Sequence, residues 1–402
     1  MEMDAFAHDT DGSVYENAVW PGTSVFPDFT KQSVRSWWGD KTKILFEHGI
    51  SGIWNDMNEP ASFNGPLPDD VQFEYGAHEK VHNIYGHFMA KATYEGLAKN
   101  DGGKRPFVLT RAAYAGSQKY CGGWTGDNHS IWAHIALSLE QVCNLSVSGL
   151  AMCGSDIGGF GSDTTPELLV RFYEAAVFVP FFRNHSAMGT RRQEPWQFDE
   201  TTIDAVRKTV KLRYRFIPYI YDLAHECEKT GAPIVRPLVY EYPADKHVRN
   251  ISDEYMLGSF VLVAPVIAPG KEAREVYLPD GDWYDYYTGE KYSGGRYILA
   301  DAPLDKVPVF IKAGAIIPVA DGEIRSTEDI TEDKISILTY PGIIRMTMRR
   351  SHTETVRIML LSIPWMGISL RRKCCIRDCK KESYKDNRIK LSFINQSAIL
   401  YI

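Results

Sequence analysis

The sequence predicts an α/β fold in which part of a (β/α)8 TIM barrel is followed by a β-sandwich-like domain. Between residues 45 and 240, short apolar runs alternate with longer stretches of helical periodicity. Most of these runs end in polar or charged residues, as strands of a parallel barrel do near an active site. After residue 243, short strand patterns separated by glycine turns replace the helices. A doubly wound sheet gives a similar alternation, so the pattern favours the barrel but leaves both arrangements open.

Five apolar runs are predicted as buried strands of the parallel sheet, with four helices between them. The predicted strands are Gly49–Trp54, Pro106–Thr110, Gly149–Cys153, Val177–Phe182 and Ala232–Val239. The predicted helices are Val81–Lys99, Ile131–Asn144, Pro166–Ala176 and Thr201–Thr230. A complete barrel has eight strands and takes about 250 residues. Only five units occupy this part of the chain, so we expect upstream strands to be missing.

Composition divides the chain into three segments: residues 1–243 as the C-terminal part of the barrel, 244–343 as the β-sandwich-like domain, and 344–402 as an atypical basic tail. Strands are predicted in the second segment at Tyr255–Pro269, Glu275–Leu278 and Val307–Pro318. From Arg345 onward, 13 Lys and Arg stand against 4 Asp and Glu, a net charge of +9. Subtracting these from the totals of 45 and 51 leaves 32 and 47, a net charge of −15 for the first 344 residues. The tail fits either a basic binding segment or sequence read out of frame, and we assign it no function.

Several classes of protein are excluded by composition. A formal net charge of −6 gives no basic footprint for nucleic acid. No apolar stretch reaches the length of about 20 residues that a membrane span needs. The seven cysteines form no regular framework, which favours reduced thiols. The acidic start Met1–Asp4 lacks the pattern of a signal peptide, so we expect a cytoplasmic protein.

Two acidic segments carry the strongest chemical signal. In Gly52–Pro60, two carboxylates and two carboxamides follow an apolar strand directly, and a capping loop is the structural alternative. In Gly122–Ser130, three glycines and a tryptophan precede Asp127, which also stands where a helix N-cap would be expected. Capping does not call for a glycine-rich approach beside a tryptophan, whereas close approach of a ligand to the backbone does.

Two further segments and one decoy complete the set. The run Cys153–Gly161 is glycine-rich but lacks the Lys-Ser/Thr ending of a phosphate-binding loop, so nucleotide binding is discounted. The run Phe181–Ser186 ends a predicted strand with Arg183, Asn184 and His185, which is typical of a polar pocket. The run His78–His82 matches the zinc-protease pattern H-E-x-x-H. It lies at a helix start with no third ligand evident downstream, so a zinc hydrolase is the weaker hypothesis and no metal or cofactor is expected.

At these residues the chain closely resembles glycoside hydrolase family 31, whose commonest members are α-glucosidases. The run Trp54–Glu59 resembles the nucleophile signature of that family, and Trp124–Asn128 its acid/base segment. Ser155–Phe160 and Arg183–His185 are similar to its sugar-binding segments. The resemblance covers residues 10 to 343 and includes several segments before the nucleophile strand, namely Trp20-Pro21-Gly22, Phe26-Pro27-Asp28-Phe29-Thr30 and Trp37-Trp38.

The resemblance implies a retaining exo-acting α-glucosidase that removes glucose from the non-reducing end of an oligosaccharide. Asp56 would be the nucleophile and Asp127 the general acid/base, with Glu59 as a third catalytic residue. This double displacement needs carboxyl groups about 5–5.5 Å apart. Sugar-binding and pocket-lining roles would fall to Trp54, Met57, Arg111, Trp124, Asp156, Phe160, Arg183 and His185.

The chain departs from the family pattern at both ends. Family members carry an N-terminal β-sandwich and first barrel strands, and an acidic, tyrosine-rich C-terminal region follows where the basic tail stands here. We therefore expect the chain alone to be insoluble or inactive, because an open barrel exposes strand edges. The alternative functions are an α-xylosidase or α-glucosyltransferase of the same family, a non-catalytic sugar-binding relative and an inactive fragment. The oligomeric state is not predicted.

Overall fold

The fold is described from a computed structural model that covers residues 3–100 and 104–342. Beyond these, only five short strands are described, at Leu361–Ile363, Ile368–Leu370, Arg388–Ile389, Ser392–Ile394 and Ser397–Ile399. The chain forms two compact units. The first consists of Met1–Asp127 with Ser148–Asp156, and the second of Asn128–Val147 with Ile157–Ile402. Apart from those strands, the predicted basic tail lies outside the described residues.

Among the described residues, the first unit contains three α-helices and ten strands. The helices are α1 Gln32–Lys41, α2 Lys43–Glu47 and α3 His78–Asn100. The strands are β1 Glu16–Val19, β2 Gly22–Val25, β3 Ile53–Asn55, β4 Ala61–Ser62, β5 Gly65–Pro66, β6 Gln72–Phe73, β7 Gly76–Ala77, β8 Val108–Thr110, β9 Gly122–Trp124 and β10 Cys153–Gly154. A further strand, β11 Asp156–Ile157, crosses from this unit into the second.

A four-stranded parallel sheet is the centre of the first unit, in the order β10-β9-β8-β3. Ile53 pairs with Val108, Leu109 with Gly122, and Gly123 with Cys153. All three strand pairings are parallel. The carboxyl ends of these strands therefore lie at one edge of the sheet, where parallel α/β folds place their binding residues. The prediction of a parallel sheet is confirmed for three of the five predicted strands. The fourth member, β9, lies in the glycine-rich segment before Asp127, where no strand is predicted from the sequence.

Helices α1 and α3 cross unusually closely in the first unit. A Cβ atom added to Gly96 on α3 would lie 2.3 Å from Cα of Gly39 on α1. Next to this crossing, Thr93 Oγ1 accepts hydrogen bonds from Trp38 Nε1 and Asn55 Nδ2, both at 3.0 Å. One hydroxyl group thus joins α1, α3 and the end of β3.

The second unit contains four helices and, up to residue 342, eleven strands. The helices are α4 Trp132–Val147, α5 Pro166–Ala176, α6 Glu200–Thr230 and α7 Leu238–Glu241. The strands are β12 Arg183–Asn184, β13 Val235–Pro237, β14 Tyr255–Leu257, β15 Val261–Val263, β16 Ala273–Leu278, β17 Asp282–Asp285, β18 Lys291–Ser293, β19 Arg296–Asp301, β20 Val309–Lys312, β21 Ile316–Ala320 and β22 Ile335–Thr339.

The predicted β-rich domain is present in the second unit. Its main sheet has six strands in the order β13-β14-β15-β20-β17-β18, and every pairing in it is antiparallel. The core of this region includes Met256, Leu262, Trp283 and Phe310, all at most 1% exposed. Helices α5 and α6 have ordinary caps: Thr165 accepts from Leu168 N, and Asp199 accepts from Thr202 N. Their predicted bounds are confirmed to within one residue.

Two of the predicted barrel strands are wrong. Ala232–Val239 contains strand β13, but Val235 pairs antiparallel with Leu257 in the sandwich-like sheet. Periodicity alone does not distinguish a buried parallel strand from a buried antiparallel one. Val177–Phe182 forms no strand, because Pro180 has no N–H to donate and Arg213 occupies the carbonyl oxygens of Val177, Val179 and Pro180.

The described part of the chain shows the state of four cysteines and the character of its helices. Cys121, Cys143, Cys153 and Cys227 are free thiols there. No helix within the described ranges is long and apolar enough to cross a bilayer.

The buried Glu254 predicts a pH-dependent stability. It is 4% exposed, accepts a hydrogen bond from Tyr277 N at 2.9 Å, and burial raises its pKa to about 8 despite that bond and the Arg274 charge. A raised folded-state pKa means that stability present below about pH 4.5 is lost as the pH rises toward 8. This loss is at most about 1.4 kcal/mol per pH unit.

We therefore expect Glu254→Gln to flatten the decline of the melting temperature between pH 5 and pH 8, since the amide stays neutral. Calorimetric melting at four pH values, with the exposed Glu323→Gln as control, measures this. Parallel curves for the wild type and Glu254→Gln would contradict it.

Candidate active site

The sheet edge of the first unit gathers four of the predicted site residues. Asp56 follows β3, Arg111 follows β8, Asp127 comes three residues after β9, and Asp156 two residues after β10. Asp156 is fully buried, whereas Asp127 is exposed. Helix α4 begins only at Trp132, so Asp127 is not its N-cap residue. The capping alternative for Asp127 is therefore wrong.

Two buried asparagines hold the loop that carries Asp56. Asn55 is 2% exposed and donates to Thr93 on α3. Asn58 is 1% exposed, donates to Thr110 Oγ1 at 2.9 Å, and accepts from Ala112 N at 3.0 Å. Both carboxamides are thus used inside the protein, which leaves the two carboxylates of the same run as the side chains available for chemistry.

Arg111 links these carboxylates. Its guanidinium donates to both oxygens of Glu59, from Nε at 2.6 Å and from Nη2 at 2.9 Å. Its Nη1 lies 3.2 Å from Asp56 Oδ1, and Nη2 also lies 3.2 Å from Met57 Sδ. A two-pronged pair of this kind fixes the plane of the guanidinium, and so fixes the direction in which Nη1 meets Asp56.

The charges of this cluster shift two pKa values in opposite directions. Burial by itself raises the pKa of Glu59, but the hydrogen bonds and charge of Arg111 outweigh it, so the pKa lies below the ordinary value. The hydrogen bond from Arg111 to Glu59 raises the pKa of the guanidinium above its ordinary value despite burial, and the charges of Asp56 and Asp127 raise it further. One permanent cation therefore acts on both predicted catalytic aspartates.

The backbone directly after Asp56 is strained. Met57 has a φ of +55°, in the left-handed region that residues with a side chain rarely adopt. Such a conformation persists only when the surroundings impose it, and it is typical of functional loops. Here Asn58 and the Arg111–Glu59 pair flank Met57 and keep the loop in place.

Trp54 and Trp124 form an aromatic pair beside these groups. Their ring centroids lie 5.5 Å apart at an interplanar angle of 77°, with Trp54 43% exposed and Trp124 4% exposed. The adjacent glycines serve strand packing: a Cβ on Gly122 would lie 2.7 Å from Met152 O. The sequence predicts that the glycines before Asp127 leave room for a ligand, but Gly122 and Gly123 lie within strand β9 and allow its neighbours to pack closely.

Three predicted sugar-binding residues belong to the second unit. The rings of Phe160 and His185 lie 5.2 Å apart at an interplanar angle of 32°. Arg183 places its guanidinium 5.1 Å from the Phe181 ring. Asn184, between them, donates to Tyr173 OH at 3.0 Å and to Gln193 O at 2.8 Å. The unit thus brings Phe160 and His185 together, and Asn184 is tied into the protein.

The two histidines of the H-E-x-x-H pattern are not arranged as metal ligands. His78 Nε2 lies 3.0 Å from His82 Nδ1, so the two imidazoles contact each other, and His78 is 2% exposed. Across residues 3–100 and 104–342, no cluster of three or more His, Cys, Asp or Glu side chains could hold a metal ion.

An exposed aromatic pair was not singled out by the sequence analysis. Trp20 and Phe63 are 72% and 54% exposed, with ring centroids 5.1 Å apart. Phe63 N donates to Ala18 O at 2.9 Å, which joins the β1–β2 hairpin to the β4–β5 hairpin that follows Asp56. The run Trp20-Pro21-Gly22 contributes to the sequence prediction only through the family resemblance. No local sequence pattern predicts the contact of Trp20 with Phe63.

The two protein-family models that match this chain describe the same family. The model described as "Glycosyl hydrolases family 31 TIM-barrel domain" matches residues 1–223, and "Glycosyl hydrolase family 31 C-terminal domain" matches residues 231–317. Alpha-glucosidase 2 of Bacillus thermoamyloliquefaciens is 47% identical over 331 residues, which is 81% of this chain and 42% of the relative.

The chain is also similar to solved structures of a glucosidase and a dextranase. The glucosidase II alpha subunit in a Glc1Man2-bound form superposes with a TM-score of 0.81 at 33% identity, covering 84% of this chain and 38% of that one. A Flavobacterium johnsoniae GH31 dextranase complexed with glucose superposes with a TM-score of 0.78 at 34% identity, covering 85% and 44%. The chain thus spans about two fifths of the length of these relatives.

Proposed function

The chain belongs to glycoside hydrolase family 31, and from that membership and the site geometry we propose that it carries the centre of a retaining α-glucosidase. The substrate is an oligosaccharide with a non-reducing terminal α-linked glucose, and the enzyme acts on that end. The observation that supports this most directly is the contact of one guanidinium, Arg111, with Asp56 while it lies in the field of Asp127. Paired carboxyl groups are what glycoside hydrolysis requires.

The proposed reaction has two steps. In the first, Asp56 attacks the anomeric carbon and the glycosidic C–O bond breaks, while Asp127 gives its proton to the departing oxygen. This leaves a covalent β-glucosyl ester on Asp56. In the second step, Asp127 takes a proton from water as the water oxygen attacks the same carbon, and Asp56 departs as a carboxylate. Two inversions give α-glucose, so the configuration is retained.

Arg111 and Glu59 are proposed to prepare Asp56 for attack. The Nη1 atom of Arg111, 3.2 Å from Asp56 Oδ1, places a positive charge beside the carboxylate and orients it for the first step. Glu59 holds that cation by two hydrogen bonds. Glu59 then contributes to catalysis through Arg111, while the proton and the covalent bond belong to Asp127 and Asp56.

Glu59→Gln is expected to lower kcat by about 10- to 100-fold. Loss of one charge and one acceptor leaves the guanidinium of Arg111 free to rotate out of its plane. Steady-state kinetics on an aryl α-glucoside measure this. Added azide should restore no activity, since Glu59 forms no bond to sugar. Formation of a glucosyl azide by Glu59→Gln would contradict the role assigned to it.

Sugar-binding groups are proposed within each unit by itself. In the first unit, Asp156 and Arg111 supply hydrogen-bonding groups, and Trp54, Met57 and Trp124 supply apolar walls. In the second unit, Arg183 and His185 supply hydrogen-bonding groups, and Phe160 supplies an apolar wall. Sites that pair each hydroxyl group of a ligand reject analogues that lack one. On this basis we expect glucose to be preferred over xylose, which has no hydroxymethyl group.

The proposed function is tested by product stereochemistry. Residues 1–402 are produced alone and also fused behind the preceding part of the Bacillus relative, because the chain matches only 42% of that protein. We expect the fused form to hydrolyse p-nitrophenyl α-glucoside, with α-glucose as the first anomer seen by proton NMR. Product analysis with maltose separates hydrolysis from transfer to a second sugar. A cooperatively folded fusion that shows no turnover, or that releases β-glucose first, would refute the proposal.

A further inference from the structure

In the second unit, the buried side chain of Gln193 bonds to both of the segments that are proposed to bind sugar. It is 3% exposed and lies outside every motif recognised in the sequence. Its Nε2 donates to His185 O at 2.8 Å, to Ile157 O at 3.2 Å and to Gly159 O at 3.3 Å. One amide group therefore connects the segment that carries Phe160 to the segment that carries His185.

The surroundings fit this side chain closely. A Cβ on Gly158 would lie 2.9 Å from the Gln193 amide atoms, so Gly158 leaves the space that the amide fills. In return, the main-chain oxygen of Gln193 accepts from Asn184 Nδ2 at 2.8 Å. A second tie runs from Ala187 N to Phe160 O at 2.8 Å. Three carbonyl oxygens converge on Nε2, so the position demands a donor and an isosteric carboxylate would be repelled.

We propose that Gln193 is a positioning residue that sets the 5.2 Å spacing between the Phe160 and His185 rings and thereby the affinity for the glucosyl group. The inference rests on the proposed function and deepens it. Gln193 does not touch the sugar and acts through these two rings. Without the amide donors, the three carbonyl oxygens lose a shared partner and the two segments are free to separate.

The test is a double-mutant cycle with His185, because coupling between the two positions separates a positioning role from general destabilisation. Affinity for a glucose-configured azasugar is measured by calorimetry, together with kcat and KM. We expect Gln193→Met to weaken azasugar binding at least tenfold in the wild-type background and less than twofold in His185→Ala. Equal losses in the two backgrounds, or no loss in the wild type, would overturn the proposal.

Arg171→Met is the matched control. Arg171 is also buried in the second unit and also donates to three carbonyl oxygens, those of Lys271, Ala302 and Pro303. Its removal should lower the melting temperature but leave azasugar affinity within twofold in both backgrounds. If Arg171→Met couples to His185→Ala as strongly as Gln193→Met does, the positioning role is refuted.

A second variant and a ligand-free measurement keep the test independent of folding and of turnover. Gln193→Glu should bind the azasugar weakly at pH 7 and recover at least fivefold near pH 5, where a protonated carboxyl group can donate. Hydrogen exchange in the segment 183–187 should accelerate at least tenfold in Gln193→Met and stay unchanged in Arg171→Met. The exchange result stands even if the wild type neither binds nor hydrolyses glucosides, so failure of the proposed function is distinguishable from failure of this inference.

Discussion

Replacing Asp56 with alanine is expected to lower kcat on an aryl α-glucoside by at least about 10⁴-fold, the scale seen when a catalytic nucleophile is removed. The variant should fold as the wild type does, because Asn55 and Asn58, and not Asp56, anchor the loop to Thr93 and Thr110. Steady-state kinetics and thermal melting of the same sample separate the two effects. The exposed Asp70→Ala is the control and should keep full activity.

Azide makes the Asp56 experiment decisive. The small anion can enter the space left by the carboxylate and attack the anomeric carbon from the face that Asp56 used. The product should be β-glucosyl azide, inverted relative to the substrate, because only one displacement takes place. An Asp56→Ala variant that keeps more than a tenth of wild-type activity would remove Asp56 from its assigned role.

Replacing Asp127 with alanine is expected to produce an effect that depends on the leaving group. General acid catalysis contributes about 10²- to 10⁴-fold when the departing oxygen needs a proton. Hydrolysis of maltose should therefore fall by that amount or more, whereas the first step with a strongly acidic phenol as leaving group should be nearly unaffected. Comparison of kcat/KM for maltose and for a dinitrophenyl α-glucoside measures this difference.

The stereochemistry of azide rescue distinguishes the two aspartates. In Asp127→Ala the covalent intermediate still forms on Asp56, so azide attacks as the second nucleophile and should give α-glucosyl azide with retained configuration. Equal losses on both substrates, or an inverted azide product from Asp127→Ala, would show that Asp127 is not the acid/base.

The position of the site at a sheet edge could be predicted from sequence because its signals are local. Asp56 and Arg111 each follow an apolar strand directly, and parallel strands bring their carboxyl ends to one edge. Strand β8 lies within its predicted run, and β3 ends at Asn55, one residue beyond its predicted run. The β-rich region was also predictable, since glycine turns and short apolar runs are features of contiguous sequence.

The failures have a common physical origin in contacts between distant residues. Val177–Phe182 has the apolar character of a buried strand, but Arg213, more than thirty positions later, takes its carbonyl oxygens. The segment Gly122–Trp124 has no β-branched residue, yet pairing on both sides makes it a strand. The two-pronged contact of Glu59 with Arg111 joins positions 52 residues apart, and no local pattern encodes that pairing.

The close crossing of α1 and α3 shows how the lack of two side chains can fix the position of a distant carboxylate. Because neither Gly39 nor Gly96 carries a methyl group, α3 lies close to α1. Thr93 can therefore accept hydrogen bonds from both Trp38 and Asn55. A methyl at either position would push the helix outward and carry that threonine with it. The carboxylate of Asp56, next to Asn55, would then lose its alignment, although neither substitution lies in the candidate site.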